Sequence, residues 1–168
     1  AGNNVRPTSD RVREALFNIL SSLLSWDELT VLDLYAGSGA LGLEALSRGA
    51  KHAKFIEASH RHLKILKHNV ELMSPEQGRF ELVQDRAVQW ISHFTDPKKP
   101  CLAFLDPPFS GQEYDHMLEK LAFLPTIQTG SIIIVESPDS REIKFPEIME
   151  LVKHRRYGSV TVDILRKG

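Results

Sequence analysis

The fold is best predicted from residues 30–42, which read TVLDLYAGSGALG. The first six of these residues are mostly apolar and predict a short buried strand. Gly37, Gly39 and Gly42 then predict a tight turn that leads into a helix over residues 40–47. A strand, a glycine turn and a helix in this order are typical of the first unit of a doubly wound α/β sheet, so we expect parallel strands to follow along the chain.

The rest of the chain alternates apolar strands with amphipathic helices. Its tail differs, because residues 151–157 and 160–165 read as two strands joined at Gly158-Ser159, which predicts a hairpin. The pattern predicts a mostly parallel, doubly wound α/β sheet with a C-terminal antiparallel hairpin, in one domain over residues 1–168. The other strands are predicted at residues 53–56, 80–83, 102–105 and 131–136, and the helices at residues 61–73, 87–94 and 114–123, after an N-terminal helix of about residues 8–24 packed on the domain.

Composition and charge exclude several classes of protein. No apolar run approaches the roughly 18 residues of a membrane-spanning helix, and the single cysteine, Cys101, excludes an internal disulfide framework. We therefore expect a cytoplasmic protein without a membrane segment, and a monomer. The formal net charge is −1, so any nucleic-acid partner must be met by basic residues gathered on one side.

Acidic residues follow three of the predicted strands, at the edge where ligands of open α/β sheets bind. The glycine turn followed by Glu57 satisfies the fingerprint of NAD-binding proteins, but a carboxylate at Asp33 would repel a pyrophosphate. S-adenosylmethionine has no phosphate, and its ammonium and sulfonium both favour a nearby carboxylate. Glu57 could accept its ribose hydroxyls, and glycines let the backbone approach it closely. The candidate cofactor-binding residues are Asp33, Ala36, Gly37, Ser38, Gly39, Glu57, Asp85, Arg86 and Ala87.

Each of these features also has a structural alternative. Asp33 could only cap the helix that follows it, and Glu57 could be a solvated acid at a strand exit. The glycine turn could serve close packing alone. The three acids in line at one edge are less easily explained by chance than any one of them.

The most specific motif is Asp106-Pro107-Pro108-Phe109, directly after the strand at residues 102–105. The prolines fix the loop and remove two N–H donors, and an ionised Asp106 only accepts hydrogen bonds. Such a loop suits a group with two N–H donors, such as the exocyclic amino group of a base, and Phe109 offers a face for stacking. These four residues are the candidate catalytic residues, and the alternative is a rigid turn with a core phenylalanine.

The sequence contains RPTSDRVREALFNIL at residues 6–20 and LDLYAGSGALGLEALSRGA at residues 32–50, in addition to the Asp106 motif. This combination resembles the RsmD-type 16S ribosomal RNA guanine-N2 methyltransferases. It implies a Rossmann-like class I methyltransferase fold and N2 methylation of a guanine in small-subunit ribosomal RNA, with S-adenosylmethionine as cofactor. Family members carry a basic, glycine-containing stretch before the Arg-Pro-Thr signature, where this sequence has residues 1–5.

Recognition of RNA would need a local basic patch. The candidates are Arg6, Arg11, Arg13, Arg155 and Arg156. The alternative for Arg155 and Arg156 is that their charge only prevents an edge strand from pairing with another chain. A small patch and one base pocket cannot select a single guanine, because one base contact discriminates by only about 1–3 kcal/mol. We therefore expect the substrate to be ribosomal RNA within a small-subunit particle. The seven histidines do not combine with a third ligand at zinc spacing, so we expect no metal site.

Three other functions compete with this interpretation. An adenine-N6 or other amino-group methyltransferase would share the Asp106 motif, but DNA enzymes need a target-recognition region for which 168 residues leave no room. An NAD-dependent oxidoreductase is opposed by Asp33 and by the Asp106 motif. A non-catalytic RNA-binding domain would not need to keep either feature.

Overall fold

The computed structural model describes residues 9–95, 99–108 and 111–168. Apolar, β-branched segments form the strands, and amphipathic segments between them form the helices. The strands are β1 (Thr30–Asp33), β2 (His52–Ile56), β3 (Phe80–Val83), β4 (Leu102–Leu105), β5 (Ile132–Pro138), β6 (Met149–Tyr157) and β7 (Val160–Lys167). The helices are α1 (Asp10–Leu23), α2 (Ala40–Ser47), α3 (His60–Met73), α4 (Ala87–Ile91) and α5 (Gly111–Phe123).

The strands form one sheet in the order β3-β2-β1-β4-β5-β7-β6. β1 to β5 run parallel to one another, whereas β7 is antiparallel to both β5 and β6. The predicted mostly parallel sheet with a C-terminal antiparallel hairpin is therefore confirmed. The strand order reverses next to β1, between β1 and β4, and this point is where open α/β sheets bind their ligands.

The helices cover both faces of the sheet. Buried side chains of α1, α2 and α3 pack on one face, and those of α4 and α5 pack on the other. The first face is anchored by Phe17 of α1, whose ring centroid lies 5.7 Å from that of Trp26 and 5.8 Å from that of Phe104. Cys101 was predicted in the core, and it is 2% exposed. Burial raises the pKa of its thiol to about 11.

The predicted ends of several elements differ from the observed ones. The helix predicted to continue to residue 94 ends at Ile91, because Phe94 N–H returns to the carbonyl of Ile91 and so tightens the last turn. The first strand ends at Asp33 rather than at Tyr35, because the chain then turns and Ala36 N–H donates to Ile56. α5 begins at residue 111 rather than 114, since its polar first turn carries no hydrophobic periodicity.

The start of α1 agrees with the predicted helix start. Ser9 is the N-cap, and its hydroxyl accepts a hydrogen bond from Val12 N–H at 3.3 Å. Thr8, the first residue of the predicted start, lies outside the described residues. No helix within the described ranges is long and apolar enough to cross a membrane.

Candidate cofactor and substrate site

The glycine loop after β1 combines an open position with two packed ones. Gly37 has φ +55°, and a Cβ placed on it would meet nothing within 4 Å. Gly39 has φ +83°, and a Cβ there would lie 2.3 Å from a methyl of Leu66. A Cβ on Gly42 would lie 2.4 Å from the ring of Phe55. The space beside Gly37 is thus open, whereas the absent side chain of Gly39 makes room for Leu66 of α3. The predicted contact of both glycines with the cofactor stays a prediction.

Glu57 follows β2 directly and holds the glycine loop in place. Its Oε2 accepts the Gly37 N–H at 2.8 Å, and its Oε1 accepts the Ser59 N–H at 3.0 Å. The Nδ1 atom of His62 lies 3.5 Å from Oε1, and the Glu57 side chain is 11% exposed. Because a carboxylate has about four acceptor sites, each oxygen keeps one for a ligand. Glu57 is therefore not the solvated acid of the alternative interpretation.

The Asp33 side chain caps the first turn of α2. It is 2% exposed, and its Oδ2 accepts the Gly42 N–H at 3.0 Å. Burial, followed by the nearby negative charge of Glu57, raises its pKa to about 7 despite the Gly42 hydrogen bond. The capping role that was the alternative for Asp33 is thus present, and its contact with the cofactor stays a prediction. A cation at this edge would be favoured, because it would offset the energy of the buried charge.

The other residues of the predicted cofactor site lie around the same edge. The main chain of Ala36 and Ser38 shapes the glycine loop: Gly39 N–H donates to Ala36 at 2.7 Å, and the side chain of Asn69 donates to the Ser38 carbonyl at 2.8 Å. Past β3, Asp85 accepts from the N–H of its neighbour at 2.7 Å. In that segment Arg86 is exposed and Ala87 is buried.

The Asp106 loop leaves β4 beside this edge. β4 is paired with β1, so Asp106 follows the strand next to the one that ends in Asp33. Asp106 is exposed, Pro107 is buried and Pro108 is exposed. Phe109, the fourth candidate catalytic residue, lies outside the described residues. The geometry therefore brings the rigid acceptor loop and the candidate cofactor residues to a common edge.

The carboxyl group of Asp106 ionises at an unusual pH. Although it is exposed on one side, the surrounding protein partly withdraws it from water, and the carboxylates of Glu136 and Asp33 lie nearby. These effects raise its pKa to about 7. Two adjacent acids that are partly protonated near neutral pH suit a site that binds a cationic ligand and that accepts a proton.

Sequence reasoning missed the residues that surround this loop. Tyr114 of α5 is 3% exposed and donates from its hydroxyl to the Glu136 carbonyl at 2.8 Å. Tyr35 donates to Oε1 of Glu113 at 3.0 Å and so connects the glycine loop to α5. Burial strongly raises the pKa of both phenols, so both act as hydrogen-bond donors at neutral pH. All these contacts join residues that are distant in the sequence, so no local sequence pattern predicts them.

The candidate RNA-binding arginines are dispersed. Arg11 is exposed, whereas Arg13 is paired with Asp10 at 2.8 Å. Arg155 and Arg156 are neighbours on β6 and therefore lie on opposite faces of the sheet, so they do not form one patch. The last of the candidates, Arg6, lies outside the described residues. Among the described residues, no three His, Cys, Asp or Glu side chains could together hold a metal ion.

Comparison with known proteins identifies the relatives of the chain. A Haemophilus influenzae protein named ribosomal RNA small subunit methyltransferase D is 31% identical over 94% of this chain and 80% of its own length. A Bacillus subtilis protein named as a candidate rRNA methyltransferase, YlbH, is 31% identical over 99% and 90%. A solved Escherichia coli structure, the candidate methyltransferase yhhF, has a TM-score of 0.81 and 30% identity, covering 96% of this chain and 87% of that one.

These similarities agree with the sequence and with the fold. The predicted Rossmann-like methyltransferase fold is confirmed by the structural similarity. The family model described as conserved hypothetical protein 95 matches residues 1–166, which is nearly the whole chain. The chain therefore belongs to the conserved hypothetical protein 95 family, which includes the RsmD-type methyltransferases that its sequence resembles.

Proposed function

We propose that the protein is an S-adenosylmethionine-dependent methyltransferase that modifies the exocyclic N2 of a guanine in small-subunit ribosomal RNA. The observation that carries this proposal is the position of Asp106, on a proline-fixed loop beside Asp33 and the open glycine turn. The relatives named ribosomal RNA small subunit methyltransferase D supply the class of substrate. We also propose that the protein acts in the cytoplasm, where ribosomal particles are assembled.

The residues at the sheet edge fit this cofactor. The main chain at Gly37 is open to an approaching ligand, and Glu57 keeps acceptor sites for two ribose hydroxyls. Asp33 and Asp106, whose negative charges are disfavoured in the free protein, would be stabilised by a cation. S-adenosylmethionine, when bound, supplies an electrophilic methyl group on a sulfonium. The Asp85-Arg86-Ala87 segment after β3 would border the adenine.

The Asp106 loop would hold the amino group that is methylated. Pro107 and Pro108 have no N–H, so the loop offers acceptors, and two acceptors can orient both hydrogens of one amino group. This aims the nitrogen lone pair, and most of the rate would come from that positioning. The nitrogen gains a methyl group and must lose one proton. Asp106, with a pKa of about 7, can take this proton and pass it to water. We propose that Phe109 stacks on the base.

Methyl transfer to unmethylated small-subunit particles tests the proposal. With tritiated cofactor, the wild-type protein should label the RNA, and nucleoside analysis should yield N2-methylguanosine. Asp106→Ala should lower the transfer rate at least about a hundredfold, as losses of transition-state contacts do, while affinity for S-adenosylhomocysteine stays within a few-fold. Asp115→Asn, which alters an exposed acid on α5, is the matched control and should transfer normally. Near-normal transfer by Asp106→Ala would remove Asp106 from the mechanism.

The form of the substrate needs a separate comparison. The net charge of −1 gives no long-range attraction to RNA. We propose that selection depends on shape, namely a guanine already out of its stack and framed by neighbouring structure. Transfer at physiological salt should be faster on unmethylated particles than on the same RNA stripped of protein. Equal or faster transfer to the stripped RNA would refute this part.

A further inference from the structure

A depression lies beyond the end of β5, on the same edge of the sheet as Asp106. It encloses about 340 Å³ between the segment that follows β5 and the β6–β7 hairpin. In the hairpin register His154 lies opposite Asp163, and Arg156 lies opposite Thr161. Ionisable side chains make up about half of its lining, namely Arg141, His154, Arg156, Asp139, Glu142 and Asp163.

Most of these charges are already paired. Arg156 donates to Asp139 at 2.6 Å, and the Nδ1 of His154 lies 2.5 Å from Oδ1 of Asp163. Asp163 is nearly buried, so this contact fixes the imidazole at the rim of the depression. Arg141 differs, because its guanidinium has no acidic partner and no hydrogen-bond acceptor among the described residues. It is therefore the unpaired cation of the depression.

Arg141 is held beside the candidate catalytic loop. Its guanidinium carbon lies 5.2 Å from the centre of the Tyr114 ring. The Tyr114 hydroxyl in turn donates to the carbonyl of Glu136, and its pKa responds to the charges of both Asp106 and Arg141. Stacking orders the arginine before any ligand arrives, and Nε is buried, so the charge is presented through the two terminal nitrogens.

We propose that Arg141 and the depression around it form a subsite for a phosphodiester group of the RNA next to the target nucleotide. A guanidinium with free terminal N–H groups matches the oxygens of a phosphate, and a pre-ordered arginine loses little freedom on binding. The subsite rests on the proposed function, because it assumes that RNA is the substrate. Glu142, exposed on the same depression, opposes the phosphate and limits the affinity.

Salt dependence of binding separates this role from a structural one. The probe is the unmethylated small-subunit particle, titrated with S-adenosylhomocysteine-loaded protein over a series of KCl concentrations. Loss of one phosphate contact should lower the slope of log affinity against log salt by about 0.7. Arg141→Gln should show this change and should bind about tenfold more weakly at physiological salt, which corresponds to about 1.4 kcal/mol. Arg141→Lys should keep the wild-type slope, because it keeps the charge.

Two further variants serve as controls. One should change the affinity in the opposite direction, and the other should leave the salt slope unchanged. Glu142→Gln removes the opposing charge and should bind the particles several-fold more tightly. Lys144→Gln removes a cation from the same segment but outside the depression, and should leave the slope unchanged. Affinity for S-adenosylhomocysteine should be the same in all four variants.

The results distinguish failure of the subsite from failure of the proposed function. If the wild-type protein methylates the particles and Arg141→Gln keeps its salt slope, the subsite is refuted while the function stands. If Arg141→Gln and Arg141→Lys lower thermal stability and transfer alike with no change in slope, Arg141 only clamps Tyr114, and the subsite is refuted again. If the wild-type protein transfers no methyl group to RNA, the proposed function fails and the subsite fails with it.

Discussion

Replacing Asp33 with asparagine should remove a pH-dependent loss of stability. Asp33 is 2% exposed, and its pKa is raised from 3.8 to about 7 in the folded protein. The folded protein therefore keeps this proton at pH values at which the unfolded chain has released it. The contribution to stability is fully present below pH 3.8 and is lost as the pH rises to about 7. Asparagine has no proton to release, so the variant lacks this loss.

The size of the effect follows from the pKa difference. Each pH unit over which the folded and unfolded states differ by one proton changes the free energy of unfolding by about 1.4 kcal/mol. Between pH 5 and pH 7 this amounts to about 2 kcal/mol for Asp33, because the folded protein has itself released about half of the proton at pH 7. The asparagine oxygen can still accept the Gly42 hydrogen bond. The buried amide nitrogen has a cost that is similar at every pH, so it cancels from the comparison between pH values.

Urea unfolding of the cofactor-free protein at pH 5, 6 and 7 measures this difference. The stability of Asp33→Asn relative to wild type should rise by about 2 kcal/mol from pH 5 to pH 7. Asp27→Asn, at an exposed acid, should show no such rise. Asp33→Asn should also lose affinity for S-adenosylhomocysteine by about 1.5–3 kcal/mol, because the ammonium of this ligand loses a charged partner. A stability difference that is equal at pH 5 and pH 7 would refute the raised pKa of Asp33.

Three further predictions concern the cofactor edge. Gly39→Ala should lower the free energy of unfolding by about 1–3 kcal/mol, because the added Cβ would overlap Leu66. Gly37→Ala should lower it by only about 1 kcal/mol and should mainly weaken cofactor binding. Equal free energies of unfolding for the two variants would contradict this. Glu57→Gln should weaken S-adenosylhomocysteine binding about tenfold, because the amide nitrogen cannot accept a hydrogen bond and one of the bonds from Gly37 and Ser59 N–H is lost. Wild-type affinity in calorimetry would exclude a role of Glu57 in cofactor binding. Affinity for S-adenosylmethionine should rise from pH 6 to pH 8 as carboxyls with pKa values near 7 ionise, and a flat profile would exclude their contact with the cation.

The fold and the edge of the site could be predicted because their signals are local. Alternating apolar strands and helices give the sheet, and the spacing of glycines after Asp33 gives the turn. The reason for an individual glycine could not be predicted. Gly39 is required by Leu66, which lies 27 positions further along the chain and meets it only after α3 has packed. Long-range packing decides this role, and no local pattern carries it.

The environment of Asp106 was hidden from the sequence for a similar reason. Its motif identifies the residue, but its pKa depends first on burial and then on the carboxylates of Glu136 and Asp33, which come from the two neighbouring strands. Arg141 lies in a segment without regular secondary structure, and its position on Tyr114 becomes visible only in three dimensions. For the basic residues, adjacency in sequence does not give a shared surface. Arg155 and Arg156 are consecutive on β6 and lie on opposite faces of the sheet, and their contact with RNA stays a prediction.

We propose that this chain methylates the N2 of a guanine in small-subunit ribosomal RNA through Asp106. Mass spectrometry of ribosomal RNA tests this proposal in cells that lack the gene and in the same cells complemented with the wild-type chain or with Asp106→Ala. We predict that one N2-methylguanosine in the small-subunit RNA disappears with the gene, returns with the wild-type chain and does not return with the variant. An RNA with unchanged methylation in all three strains, or a lost modification on adenine, would contradict the claim.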